Sequence, residues 1–210
     1  MSHYLNNDRL KKAVVHLTKK DKDLARIFQS DGVPPLWARR PGFNTLIKII
    51  LEQQVSLASA KAVYKRVTDS INPLSSEHIE ELGDTYLREL GVTRQKSSYI
   101  INIAKALISG ELDLKSFNKL DDDSVRENLM NIKGIGSWTA DIYLLMALRR
   151  PDIWPSGDVA IEKTVRKFKR LRHNSTSKRI SKVAEQWRPF RSVAARMLWH
   201  HYLTNNLRNS

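Results

Sequence analysis

At 210 residues, with 36 Lys and Arg against 22 Asp and Glu, the chain carries a formal charge of +14 and is long enough to bury a core without a metal or a partner. The absence of Cys excludes disulfides, thiolate zinc sites and cysteine-held iron–sulfur clusters, and the six His contain no HExxH pattern, so no metal site is expected. Basic residues are spread along the whole sequence, which calls for a polyanionic partner held by salt-sensitive attraction to phosphate, although the same balance also fits RNA-binding and membrane-surface proteins; this sets a class of partner and not a reaction.

The first twelve residues hold no apolar run of signal-peptide length, and no segment approaches the ~20 apolar residues of a membrane span. A soluble intracellular protein, cytoplasmic or nuclear, is therefore expected. Apolar spacings are helical throughout and predict an all-α fold. Phe43, Leu46, Ile47, Ile50 and Leu51 form one stripe; Leu57, Ala60, Val63, Tyr64 and Val67 form a second behind Ser56 as N-cap, with Gln53-Gln54-Val55 at the break. Ile100, Ile103, Ala104, Leu107 and Ile108 make a third stripe closed by Gly110. Ser124 and Glu127 have the spacing of a capping box for a short helix to Met130, and a further helix is expected over 137–148. The Pro- and Gly-rich segment 151–157 must be a loop, which places Asp158 at the mouth of a helix over 159–168. The last helices are expected over 178–187 and, beyond Pro189, over 192–205. His200 and His201 would point in different directions on that last helix, and packing or surface roles suit both.

The most informative segment is Leu129-Met130-Asn131-Ile132-Lys133-Gly134-Ile135-Gly136-Ser137-Trp138-Thr139-Ala140, where two helices meet at a Gly-x-Gly turn. Glycine permits positive φ and close approach of another molecule, and the amides opening the second helix can receive an anion, for which a DNA phosphate is the natural candidate. Such contacts hold register without reading sequence. A tight helix connection alone would also use two glycines.

The hairpin, followed by Trp154-Pro155-x-x-Asp158, resembles the helix-hairpin-helix (HhH-GPD) DNA glycosylase superfamily in order and spacing. The likeness extends to Ile49–Ser56, to Leu90-Gly91-Val92-Thr93-Arg94-Gln95-Lys96 with Tyr99-Ile100, and to Trp187-Arg188-Pro189-Phe190-Arg191-Ser192 with Leu198-Trp199, which resembles the alkylated-base branch, that of 3-methyladenine DNA glycosylase II. The resemblance implies two helical subdomains flanking a cleft, one from 42–148 and one from 1–41 plus 149–210, with Asp158 facing the hairpin. It also implies a protein that binds double-stranded DNA as a monomer and flips the damaged base out of the stack. The extra N-terminal β-domain of some members is not expected, since core-like helices begin by about Phe43.

Site roles follow from the same resemblance. Asp158 becomes the catalytic carboxylate, either stabilising the cationic sugar or activating water; by itself it would read as a helix N-cap. Lys133, Gly134, Ile135, Gly136 and Thr139 would form the phosphate-binding hairpin, with a monovalent cation permitted at its carbonyls and no other cofactor required. Gln54, with Gln53 beside it, would plug the hole left by the flipped nucleotide. Trp138 and Trp199 would line the base pocket, Trp199 reading equally as core, with Trp37 and Tyr143 as lesser candidates. Bifunctional members carry a catalytic Lys where this chain has Trp138, so no Schiff base can form there and a monofunctional enzyme leaving an abasic site is expected. The branch's second pocket aromatic is replaced by Ile142. Alkylated purines, already cationic, need no second acid to leave; a glycosylase for oxidised or deaminated bases and a non-catalytic DNA-binding module are the competing readings.

Overall fold

The computed structural model describes residues 4–208, and their regular structure is helical. In chain order the helices are α1 (Asn7–Lys20), α2 (Lys22–Asp31), α3 (Phe43–Glu52), α4 (Leu57–Ser70), α5 (Ser76–Glu89), α6 (Arg94–Ser109), α7 (Asp122–Met130), α8 (Ser137–Ile142), α9 (Val159–Phe168), α10 (Ser177–Ala184) and α11 (Arg191–Arg208). The described residues divide into two compact units, one formed by the chain up to Ala38 with that from Arg149 onward, the other by Arg39–Leu148. The first division falls before Arg39 rather than at residue 42 because Arg39 is bound into the second unit. Its amide donates to the Met146 carbonyl, and its guanidinium makes two 2.9 Å bonds to Glu52.

Helix starts follow local chemistry. Ser56 caps α4, Thr93 caps α6 and Asp158 caps α9, each side chain accepting from the amide three residues on. α6 stops at Gly110, in the left-handed region at φ 79°. The Ser124–Glu127 capping box does not form. α7 begins earlier, because the Asp121 carboxylate is the cap, accepting from the Ser124 amide and hydroxyl at 2.8 Å each. A carboxylate is the better partner for the partial positive charge of a first turn, and it leaves Ser124 inside the helix. Beyond Ile142 the expected continuous helix widens into a π turn, Tyr143–Ala147, where the Leu148 amide donates five residues back to the Tyr143 carbonyl. The helix expected to end at Trp187 tightens to a 3-10 turn from Glu185, and α11 runs further than expected in both directions, from Arg191 to Arg208. α1, α2 and α5 carried no clear expectation; α5 is interrupted at Gly83, whose φ is 72°.

In the second unit α3 is the central rod. Thr45, Leu46, Ile47, Ile49, Ile50 and Leu51 are all buried, so its apolar residues cover more than one face, and α4, α6, α8 and the π turn pack around it. In the other unit α11 is the spine, packed by α1, α2 and α9. A buried carboxylate ties this unit together: Asp21 caps α2, accepts from Trp187 Nε1 at 2.7 Å and pairs with Lys169 at 2.7 Å. Burial alone would raise its pKa, but the bonds from Lys169 and Trp187 and the Lys169 charge outweigh burial and hold the carboxyl below its ordinary 3.8. No helix among the described residues is long and apolar enough to cross a membrane.

Candidate nucleic-acid interface and active-site carboxylate

The second unit contains the hairpin between α7 and α8. Ile132 and Ile135 are buried and pin the turn to the core, and the Ile135 amide closes it on the Ile132 carbonyl at 3.0 Å. Lys133, Gly136 and Ser137 remain exposed. The two glycines differ. Gly134 sits at φ 107°, and any Cβ there would overlap the Tyr99 ring, so its small size is demanded from inside the protein. Gly136 has φ −88°, which any residue adopts, and a Cβ there would meet nothing within 4 Å. Its small size is not required by the fold. Gly136 is also the N-cap of α8 without a side-chain cap, and the first turn of that helix holds no acidic residue. Thr139 differs from expectation: it is 2% exposed and its hydroxyl accepts a bond from Gln53, so its side chain serves the interior and only its backbone can take part in anion binding.

The two members of the Gln53-Gln54 pair are held differently. Gln53, the C-cap of α3, is half-buried, and its side-chain amide donates to Thr139 Oγ1 at 2.9 Å and to the Gly134 carbonyl at 3.3 Å. Both of its side-chain amide protons are engaged inside the protein, which leaves Gln54 as the solvent-exposed member of the pair. Gln54 is exposed and held at φ 54°, in the left-handed region that side chains other than Gly seldom occupy. Trp138 is half-buried on α8, whereas Ile142 and Tyr143 are core residues; the Tyr143 hydroxyl accepts from the Gly42 amide at 3.0 Å, and burial pushes its pKa up to about 12.

The first unit contains Asp158. The residue is 9% exposed, and Oδ1 accepts from the Ile161 amide and from Trp199 Nε1, both at 3.0 Å. Asp158 is thus both the N-cap of α9 and the partner of a tryptophan on α11. Trp199 is 8% exposed and meets Trp37 edge to face at 6.4 Å, so most of its ring packs inside the unit. Trp37 is half-buried at φ 46°; the carbonyl of its neighbour Leu36 accepts from the guanidinium of Arg196, whose burial lowers its pKa to about 9. The loop before Asp158 is braced by Glu162, which accepts from the Gly157 amide at 3.1 Å and pairs with Arg166 at 2.7 Å. His200 and His201 both turn to Asp31, one to its carbonyl at 2.9 Å and one to its carboxylate at 2.6 Å. Among the described residues no group of three His, Asp or Glu is placed to hold a metal.

Sequence reasoning missed Lys96, Tyr99 and Arg196. Lys96 and Tyr99 lay within the quoted Leu90–Ile100 likeness without a role, and their partners lie 35 to 45 positions away, beyond the reach of any local pattern.

A family model described as HhH-GPD superfamily base excision DNA repair protein matches residues 47–189. DNA-3-methyladenine glycosylase 1 of Schizosaccharomyces pombe is 29% identical over 197 residues, covering 90% of this chain and 86% of that protein. A putative DNA-3-methyladenine glycosylase of Bacillus subtilis is 25% identical over 200 residues, covering 91% of this chain and 69% of that protein. A solved structure of an S. pombe 3-methyladenine DNA glycosylase in complex with abasic DNA matches with a TM-score of 0.80 at 28% identity, covering 95% of this chain and 98% of that one. Hairpin, loop and Asp158 all lie inside the matched segment, and the chain belongs to the HhH-GPD superfamily of base excision DNA repair proteins.

Proposed function

We propose that the protein is a monofunctional DNA glycosylase that releases alkylated purines of the 3-methyladenine and 7-methylguanine class from double-stranded DNA, acting as a monomer. The observation that carries this reading is the state of Asp158. It is a carboxylate held by a helix amide and an indole N–H, on the family's Pro-x-x-Asp segment, in a chain whose relatives are named for 3-methyladenine release. Departure of the base leaves positive charge on deoxyribose, and an anion already fixed in place stabilises that charge without reorganising. Both bonds to Oδ1 fix orientation, which suits electrostatic stabilisation or the alignment of a water molecule.

The hairpin would hold a phosphate through the α8 amides at Gly136 and Ser137 with Lys133 beside them, and the overall charge of +14 would supply the salt-dependent remainder. A monovalent cation fits the neutral carbonyls of the 132–135 turn. Three of these oxygens already accept one protein bond, from Ile135, Asn102 and Gln53, and each keeps a second lone pair. Such a cation would offset phosphate charge and takes no part in bond cleavage. Gln54 would fill the space of the flipped nucleotide, and Trp138 would offer a stacking face for a cationic base. Because Trp138 occupies the position of the catalytic amine of bifunctional members, no covalent sugar adduct should form there.

Base release is to be measured on single-lesion duplexes carrying 3-methyladenine, 7-methylguanine, 8-oxoguanine or uracil, each with and without borohydride. The proposal expects release from the methylated purines, an intact abasic strand and no borohydride-trapped complex. A trapped complex, or release confined to oxidised or deaminated bases, would overturn it.

A further inference from the structure

The loop that carries Gln54 is not free-standing. Its backbone enters from the end of α3, where the Gln53 amide donates to the Ile50 carbonyl at 3.2 Å. The Lys96 ammonium, on α6, then takes the carbonyls of Leu51 and Gln53 at 2.8 Å each. A cation at that position meets the partial negative charge and the orphan carbonyls of a helix C-terminus. The Gln53 side chain reaches the other way, to the Gly134 carbonyl in the hairpin and to Thr139 on α8. Because the Gly134 oxygen can only accept, the Gln53 group facing it must be NH2, which fixes the amide orientation. About one turn further along α6, Tyr99 lies against Gly134, so one helix touches both the loop and the hairpin. Gln54, the next residue, is left exposed at φ 54°, a backbone conformation that persists only where neighbours determine it.

We propose that Gln53 is a positioning residue that registers the Gln54 loop against the phosphate-binding hairpin, with Lys96 clamping the loop from behind, so that grip on the strand and insertion into the base stack occur at a fixed offset. This rests on the proposed reading of Gln54 as the plug. Its physical content is that Gln53 acts through Gln54 and not on DNA directly: it spends both amide protons inside the protein. Removing it should leave strand binding in place and impair the flipped state.

The test is a double-mutant cycle on the full chain with Gln53→Leu, Gln54→Ala and the double variant, reading single-turnover release of 7-methylguanine, affinity for undamaged duplex and fluorescence of 2-aminopurine placed beside the lesion. Gln53→Leu is expected to slow release and reduce the fluorescence change about tenfold, with duplex affinity within about twofold. The double variant is expected to be no slower than Gln54→Ala alone. Multiplicative losses in the double variant, or a Gln53→Leu protein that releases and flips like the parent, would overturn the proposal. If Gln53→Leu does not fold, Lys96→Met and Lys96→Arg replace it: the arginine should retain the flipping signal that the methionine loses, and equal signals would count against it. A Gln54→Ala protein with unchanged fluorescence would remove the plug and this inference together while leaving base release intact. Absence of release by the parent chain would instead strike the glycosylase reading, and the fluorescence would still decide the registration.

Discussion

The hairpin with its Gln54 loop and the mouth of α9 are held in opposite ways. The first is exposed backbone, braced from behind by side chains that come from distant points of the chain: Lys96, Gln53 and Tyr99. The second is a buried side chain, Asp158, that caps its own helix and is locked by one indole. A surface that grips a strand of any sequence needs rigid, reachable backbone; a group that answers charge on a sugar needs fixed orientation and little water. Damage to the hairpin glycines should therefore appear as lost folding or lost binding, damage to the Gln53–Gln54 loop as impaired flipping with binding retained, and damage to the second region as lost chemistry.

The largest effect expected of a small change in the first region is at Gly134. Gly134→Ala sets a methyl group into the Tyr99 ring at φ 107° and should destabilise the protein by about 3 kcal/mol or more, seen as a lowered thermal midpoint. A fully stable variant would show that the hairpin is not pressed against α6. Asp21→Asn removes a buried carboxylate of the same unit as Asp158, one to which the proposal gives no part in the chemistry. It removes the charge facing Lys169, with Asp23 at 2.9 Å as partial replacement, and should cost about 2 kcal/mol at neutral pH while release of base is unchanged. The sign of its pH dependence is fixed by the lowered carboxyl pKa: the stabilisation is present above an unfolded value near 3.8 and is lost as pH falls through the folded value. The acid limb of a stability–pH curve should accordingly be shallower in Asp21→Asn than in the parent. Trp199→Phe keeps a ring and deletes the N–H that meets Asp158, and about a tenfold slower single-turnover release with unchanged duplex affinity is expected. The smallest effect belongs to Gly136→Ala. With open space around the new methyl group, stability should move by no more than about 1 kcal/mol, and affinity for damaged and undamaged duplex should fall equally, by about threefold.

How legible each region was follows from the same contrast. Asp158 at the mouth of α9 was readable, because an Asp after a Pro-Ser-Gly loop is a local signal, and Ser56 and Gly110 announced themselves likewise. The two-helix turn at Gly134 and Gly136 was readable too, but the different duties of its glycines were not, since only the fold brings Tyr99 onto one of them. The different settings of Gln53 and Gln54 were hidden for the same reason: neighbours in sequence, they are told apart by bonds that span more than 80 positions. Asp121 displaced the expected Ser124 cap because two acceptors competed for one helix start and spacing alone could not rank them. α1 was legible but overlooked: Leu10, Ala13, Val14 and Leu17 have the i, i+3, i+4, i+7 spacing of a buried helix face, opposite charged residues.

The central claim is that the negative charge of Asp158, and not its capping bond, drives base release. Asp158→Asn separates the two, because asparagine caps a helix as well as aspartate and can still accept from Trp199. Single-turnover release of 7-methylguanine and affinity for a duplex containing a stable abasic analogue should be measured on the same preparation. The account predicts release slowed by at least about 100-fold with affinity within a few-fold of the parent; release at the parental rate in a folded, DNA-binding Asp158→Asn protein would contradict it.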